Sequence, residues 1–259
     1  MARLPALFVG HGNPLFALQP NAYTAAWGAL GAGLAGVRAI LAISAHWYGP
    51  GVAVTAMAQP RTIHDFGGFP AELYRLEYPA PGDPALAAQL GELLAPVPVA
   101  LDHDWGLDHG TWSVLRYLRP QADLPVVQLR LDSGLTGAEH FALARRLAAL
   151  REAGVLILGS GNLVHNLRTY GWGEAVAPFD WAERFERRAR ALMLAGDTAA
   201  LCDYPALGQD ARLAIPTPDH YLPLLYVLGV RHPDDALTFP VEGMDGGSIS
   251  MLAVRLGSA

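Results

Sequence analysis

Along the chain, short β-rich apolar runs alternate with longer stretches in which apolar positions recur every three or four residues. The first kind reads as strands, the second as helices whose apolar stripe packs inward. The runs predict strands over 5–9, 38–44, 51–56, 97–101, 125–131, 154–158, 236–241 and 248–255. Between them, 21–35, 84–94, 111–118, 137–152, 179–195 and 218–229 read as helices with Ala, Leu and Arg in their interiors. In FDWAERFERRARALML, Trp181, Phe185 and Leu192 fall on one face, opposite the charges. This alternation predicts an α/β fold: one domain over residues 1–259, with a central mixed, largely parallel β-sheet flanked by helices on both faces. The longest segment without clear periodicity, 61–84, is rich in Gly, Pro and aromatics and carries His64, Phe66, Phe69 and Tyr78. A loop of that length in a compact domain is suited to walling a pocket, and its aromatics equally suit pinning it to the body.

Composition narrows the classes. With 259 residues, 52% of them hydrophobic, the chain can build one large core. No apolar run approaches membrane-spanning length, and MARLPALFVGHG lacks the long apolar stretch of a signal peptide, so a cytoplasmic protein without a membrane partner is expected. A net charge of −6 without basic runs argues against a nucleic-acid partner and favours small-molecule chemistry. Oligomeric state has no signature here. Cys202 is the single cysteine, which leaves a metal to nitrogen and oxygen ligands.

Familiar motifs fail. GSGNLV at 159–164 has two glycines of a dinucleotide loop but Val164 at the third position. There is no phosphate loop or H-E-x-x-H helix, and neither Ser44 nor Ser160 lies in a nucleophile elbow. What remains is a set of histidines: His11 after PALFVG, His46 after AILAIS, His165 after VLILGSGN, and His220 in the first turn of a helix with Thr217 as cap and Pro218 at its first position. In open α/β sheets ligands gather outside the carboxyl ends of strands, so side chains repeatedly placed there can converge. Three imidazoles on a divalent ion leave positions open for a chelating substrate or an activated water. Each histidine taken singly fits an ordinary hydrogen-bonded residue. His103, His140 and His232 sit among polar residues and are expected at the surface.

Six segments resemble the class III extradiol ring-cleavage dioxygenases, in particular their bacterial DOPA 4,5-dioxygenase-like branch. They are LFVGHGNPLFAL (7–18), ILAISAHW (40–47), TIHDFGGFPAELYRLEYPAPG (62–82), DHGTWSVLRYL (108–118), GVLILGSGNLVHNLR (154–168) and PDHYLPLLYVLG (218–229). The resemblance implies metal binding by His11, His46 and His220, with His165 beside the ion as acid/base or fourth ligand and His109 as a second acid/base group. It also implies Fe(II) for activity, with Zn(II) able to occupy the site, and a small catechol and O2 as reactants. The catechol ring would open beside its two hydroxyls to a muconic-semialdehyde-type product. Read from the residues themselves, His64 suits either facing substrate or anchoring the 61–84 loop by a hydrogen bond, Phe69 is a candidate substrate contact, and Arg168 is a candidate partner for a substrate carboxylate. Asp219 reads as a helix cap rather than a ligand. Two alternatives use the same histidines: a zinc-dependent hydrolase, and a non-catalytic metal-binding or interaction protein on this fold.

Overall fold

The computed structural model describes residues 3–172 and 176–257. The apolar runs form β1 (Ala6–Gly10), β2 (Ala39–Gly49), β3 (Val52–Thr55), β4 (Val99–Asp102), β5 (Val126–Asp132), β6 (Val155–Gly161), β7 (Ala236–Val241), β8 (Met244–Asp245), β9 (Ile249–Ser250) and β10 (Ala253–Gly257). The helices are α1 (Ala22–Ala32), α2 (Pro84–Leu93), α3 (His109–Leu118), α4 (Gly137–Arg145), α5 (Asp180–Ala195), α6 (Thr198–Cys202), α7 (Gln209–Ala214) and α8 (Leu222–Gly229). Eight strands join in the order β4-β3-β5-β2-β6-β1-β10-β7, and β8 pairs with β9 apart from them. The centre, β5-β2-β6-β1, is parallel, while β10 and β7 run antiparallel at one edge and β3 antiparallel to β5.

Side chains alternate across the central strands, so each strand feeds two cores. Ala6, Phe8, Leu41 and Ile43 join a core covered by α2, α4, α5 and α8. Leu7, Val9, Ile40 and Ala42 join a second one covered by α1 and α3, where Trp27 and Trp112 are fully buried. The expected sandwich of helices around a mixed sheet is therefore what the chain adopts.

Five expectations differ in detail. The strand foreseen over 248–255 breaks into β9 and β10, and β2 continues past Ser44 so that His46 lies within it. The buried stripe of α5 is Ala182, Phe185, Ala189 and Met193, because small residues let the helix approach closely; Trp181 and Leu192 are only partly covered. His220 precedes α8, which begins at Leu222, so Thr217 and Pro218 shape a turn rather than a helix start. His140, expected at the surface, is fully buried: the carbonyl of Asp132 accepts from its Nε2–H and Tyr226 Oη lies 3.1 Å from its Nδ1.

Candidate active site

Parallel register brings the ends of β2, β6 and β1 side by side, with Ser44 opposite Ser160 and Gly10 opposite Gly161. His11 follows β1 directly, its N–H donating to the carbonyl of Gly161 (3.0 Å). The glycines of GSGN have a packing reason. A Cβ on Gly161 would lie 2.2 Å from the carbonyl oxygen of His220, and one on Gly159 would lie 2.6 Å from that of Pro223. Only bare backbone lets the 218–221 turn lie against β6, where Asn162 N–H donates to His220 O (2.9 Å). That contact carries His220 to the strand ends.

His11, His46, His109, His165 and His220 all line one cavity of about 220 Å³, together with Asp65 and the aromatic rings of Phe66, Phe69, Tyr170 and Trp172. The ring centroids of His11 and His46 lie 5.0 Å apart, and each lies within 5.2 Å of His220. His165 stacks on His220 at 3.5 Å with an interplanar angle of 3°. Metal-binding atoms of His11, His46 and His109 lie within 4.8 Å of one another.

The protons on these rings follow from their partners. Ser160 Oγ gives its hydrogen to the carbonyl of Gly110, so towards His11 Nδ1, 3.0 Å away, it can only accept. His220 Nδ1 faces the Asp219 carboxylate and His46 Nδ1 lies 3.2 Å from Asp65 Oδ2; a carboxylate accepts only. These partners put the proton of His11 and His220 on Nδ1 and leave a bare lone pair on Nε2, and an Nδ1–H on His46 turned towards Asp65 gives its Nε2 the same role. The Nε2 atoms of His11 and His46 approach to 3.2 Å, and His220 Nε2 is buried without a hydrogen-bond partner. Burial first, then repulsion among the imidazoles, holds His11 and His46 well below the usual imidazole range, so no proton relieves the facing lone pairs at neutral pH. A cation does. This donor set of neutral imidazoles, each oriented by a second partner, fits a divalent transition ion.

Asp219 orients His220 rather than capping α8, and burial is outweighed by that bond, leaving its carboxyl at about 2. Burial, with repulsion from His220, lowers His165 to about 2. His109 opens α3, with Asp108 as N-cap: Asp108 Oδ1 accepts from Thr111 N–H (3.1 Å) and Ser44 Oγ–H (2.7 Å). His109 Nδ1 lies 3.0 Å from Asp65 Oδ2, and its backbone N–H donates to Asp65 Oδ1 (2.8 Å).

Phe69 lines the cavity as expected. His64 does not; its Nε2 lies 2.9 Å from the carbonyl oxygen of Leu76, anchoring the loop. Arg168 is exposed and outside the lining, its backbone N–H donating to Asn166 Oδ1. Sequence reading passed over Asp65, Ser160 and Tyr170. For Asp65 a signal existed: it is the one acid in the otherwise uncharged stretch TIHDFGGFP.

The family described as the catalytic LigB subunit of aromatic ring-opening dioxygenase matches residues 21–242. The chain belongs to that family. It is 50% identical to the 4,5-DOPA dioxygenase extradiol of Escherichia coli (strain K12), over 98% of this chain and 95% of that protein. Against the 4,5-DOPA dioxygenase extradiol of Beta vulgaris the identity is 38% over 82% of this chain and 80% of the relative. The crystal structure of an uncharacterized protein from Escherichia coli K12 superposes with a TM-score of 0.87 at 46% identity, covering 98% of this chain and all of that one. The enzyme is thus an extradiol ring-opening dioxygenase, acting on a catechol-type substrate with dioxygen and using a metal ion; the hydrolase and non-catalytic alternatives fall away. Among the described residues no helix is long and apolar enough to cross a membrane.

Proposed function

We propose that residues 1–259 form one cytoplasmic catalytic domain that opens small DOPA-like catechols at an Fe(II) held by His11, His46 and His220, a site Zn(II) can also fill. The observation that carries this reading is the convergence of His11, His46 and His220 on one cavity, with Nδ1 of each ring facing Ser160, Asp65 or Asp219. When bound, Fe(II) supplies a chelation point for the diol and a redox route between ring and dioxygen, which zinc lacks.

The chain's own groups handle the protons. His165 is uncharged at working pH and accepts the proton of a catechol hydroxyl; the substrate oxyanion so created provides the counter-charge its imidazolium needs. His109, its Nδ1–H held by the Asp65 carboxylate, takes up a proton at Nε2 as the second catechol hydroxyl ionises and returns it to oxygen during ring opening. Phe66, Phe69, Tyr170 and Trp172 wall the substrate ring and exclude water. A second ligand assignment has its own support, since His109 rather than His220 belongs to the tightest group of metal-binding atoms.

Anaerobic reconstitution with Fe(II), followed by oxygen uptake and absorbance with DOPA and simple catechols, tests the function. Oxygen consumption coupled to a yellow product, absent from a zinc-loaded sample, is expected; no uptake with any catechol refutes it. Metal analysis of His220→Gln and His109→Gln separates the assignments. The first is expected to lose the ion, and the second to keep it while losing most turnover, as is His165→Gln. The reverse pattern moves the ligand to His109.

A further inference from the structure

We propose that Asp65 is the positioning residue for both His46 and His109, holding a proton on each Nδ1 so that both Nε2 lone pairs face the cavity. This rests on the ligand and acid/base roles given to those two histidines above.

One oxygen, Oδ2, lies 3.0 Å from His109 Nδ1 and 3.2 Å from His46 Nδ1, while Oδ1 accepts the backbone N–H of His109. A single carboxylate therefore meets a residue within β2 and the first residue of α3, whose rings lie 3.8 Å apart. It is the only acidic side chain lining the cavity among the described residues. Its place is fixed from both sides. His64 is tied to Leu76 O, the carbonyl of Ile63 accepts from Trp112 Nε1–H (2.9 Å), and the ring of Phe66 stands edge-on to His109 at 5.4 Å and 81°. The 61–84 segment is therefore more than a wall, because it carries a working part of the site.

The chemistry demands a carboxylate. A neutral imidazole exists in two tautomers, and the one with Nε2–H turns a hydrogen towards the cavity where a lone pair is needed. A carboxylate accepts at every lone pair and so favours Nδ1–H on both rings. An asparagine amide of the same shape offers one accepting oxygen and one NH2 group. The backbone N–H of His109 cannot move its proton and so holds that oxygen, which turns the NH2 group towards both Nδ1 atoms and drives the ring protons to Nε2.

Asp65→Asn and Asp65→Glu in the full chain test this. Histidine two-bond 1H–15N correlation spectra of zinc-loaded protein should show Nδ1–H on His46 and His109 in the wild type and Asp65→Glu, and Nε2–H on these rings or a released ligand in Asp65→Asn. Zinc affinity of Asp65→Asn should fall about 10- to 100-fold, the range typical when the partner of a ligating histidine is removed. With Fe(II), kcat should fall more than KM rises, in the order wild type, Glu, Asn. A role in filling space reverses that order, since Asn is the isostere and Glu the misfit. Wild-type tautomers and zinc affinity in Asp65→Asn overturn the proposal, as does better retention by Asn than by Glu. If Asp65→Asn fails to fold, zinc affinity and tautomers of Asp65→Glu decide: loss of both overturns it. The spectra and zinc affinities need no turnover, so a failure of the ring-opening reading remains separable.

Discussion

The two ends of the sheet treat buried polar groups in opposite ways. At the amino end, Arg151 is fully buried with four of its five donors satisfied: Nε–H donates to Leu4 O, Nη1 to Val230 O and Asp235 Oδ2, and Nη2 to Asp235 Oδ1. At the carboxyl end, five imidazoles crowd together and one buried Nε2 has no partner at all. A closed network ties β1, the end of α8 and the segment before β7 into one body. An open one wastes stability unless something else completes it. The difference locates function without any appeal to family, because unpaired buried lone pairs are costly and rare.

The contrast can be broken from either side. The largest effect is expected at the closed end. Arg151→Met leaves the buried Asp235 carboxylate with only the His232 N–H (2.7 Å) and the longer Arg3 contact (3.7 Å) and should cost about 3–5 kcal/mol in chemical denaturation, while KM of the folded enzyme stays unchanged. Adding Asp235→Leu should recover much of the loss; a silent Arg151→Met would show that end to be less dependent on its ion pair than its burial implies.

A smaller effect tests the contact between α4, α8 and the end of β5 through pH. Burial lowers His140 to about 4, against partial opposition from its bond to Asp132 O. Between that value and the ordinary imidazole value near 6.5, the unfolded chain binds a proton that the folded one refuses, so stability is complete above pH 6.5 and drains away as pH falls towards 4. The loss attributable to His140 reaches up to about 3 kcal/mol, and His140→Gln should flatten the stability curve in that window. An unchanged slope would exclude His140 as its source.

The smallest change touches the open end. A methyl on Gly110 would stand 2.6 Å from Ser44 Oγ and 2.9 Å from His46 Cδ2. Gly110→Ala should therefore cost about 1–3 kcal/mol of strain and lower metal affinity by shifting His46. Wild-type affinity in this variant would mean that the His46 ring has room to yield.

How much of this was legible in the sequence depends on the range of the signal. Unbroken apolar runs gave the strands, and through them the placement of His11 and His165 just beyond β1 and β6. The face of α5 was misjudged because large residues were assumed to define it, whereas the close-packed stripe uses Ala182 and Ala189. GSGN was tested as a nucleotide loop, while its glycines answer to the turn before α8, some 60 residues away in sequence. His140 looked exposed because its partners, Asp132 and Tyr226, meet it only across the fold. Asp65 was missed for the same reason: no periodicity marks a loop carboxylate whose two partners come from separate elements. Local pattern predicts which residues are buried in regular elements; it says little about which polar atoms will face each other.

The close seating of the 218–221 turn on β6 has an evolutionary corollary. Because His220 is located through main-chain atoms resting on two side-chain-free positions, the place of the ligand depends on backbone approach rather than on which apolar side chains α8 buries. Volume-conserving apolar exchange within α8 can be absorbed by repacking, whereas Gly159 and Gly161 allow none, because even one added carbon would lever the imidazole off its mark.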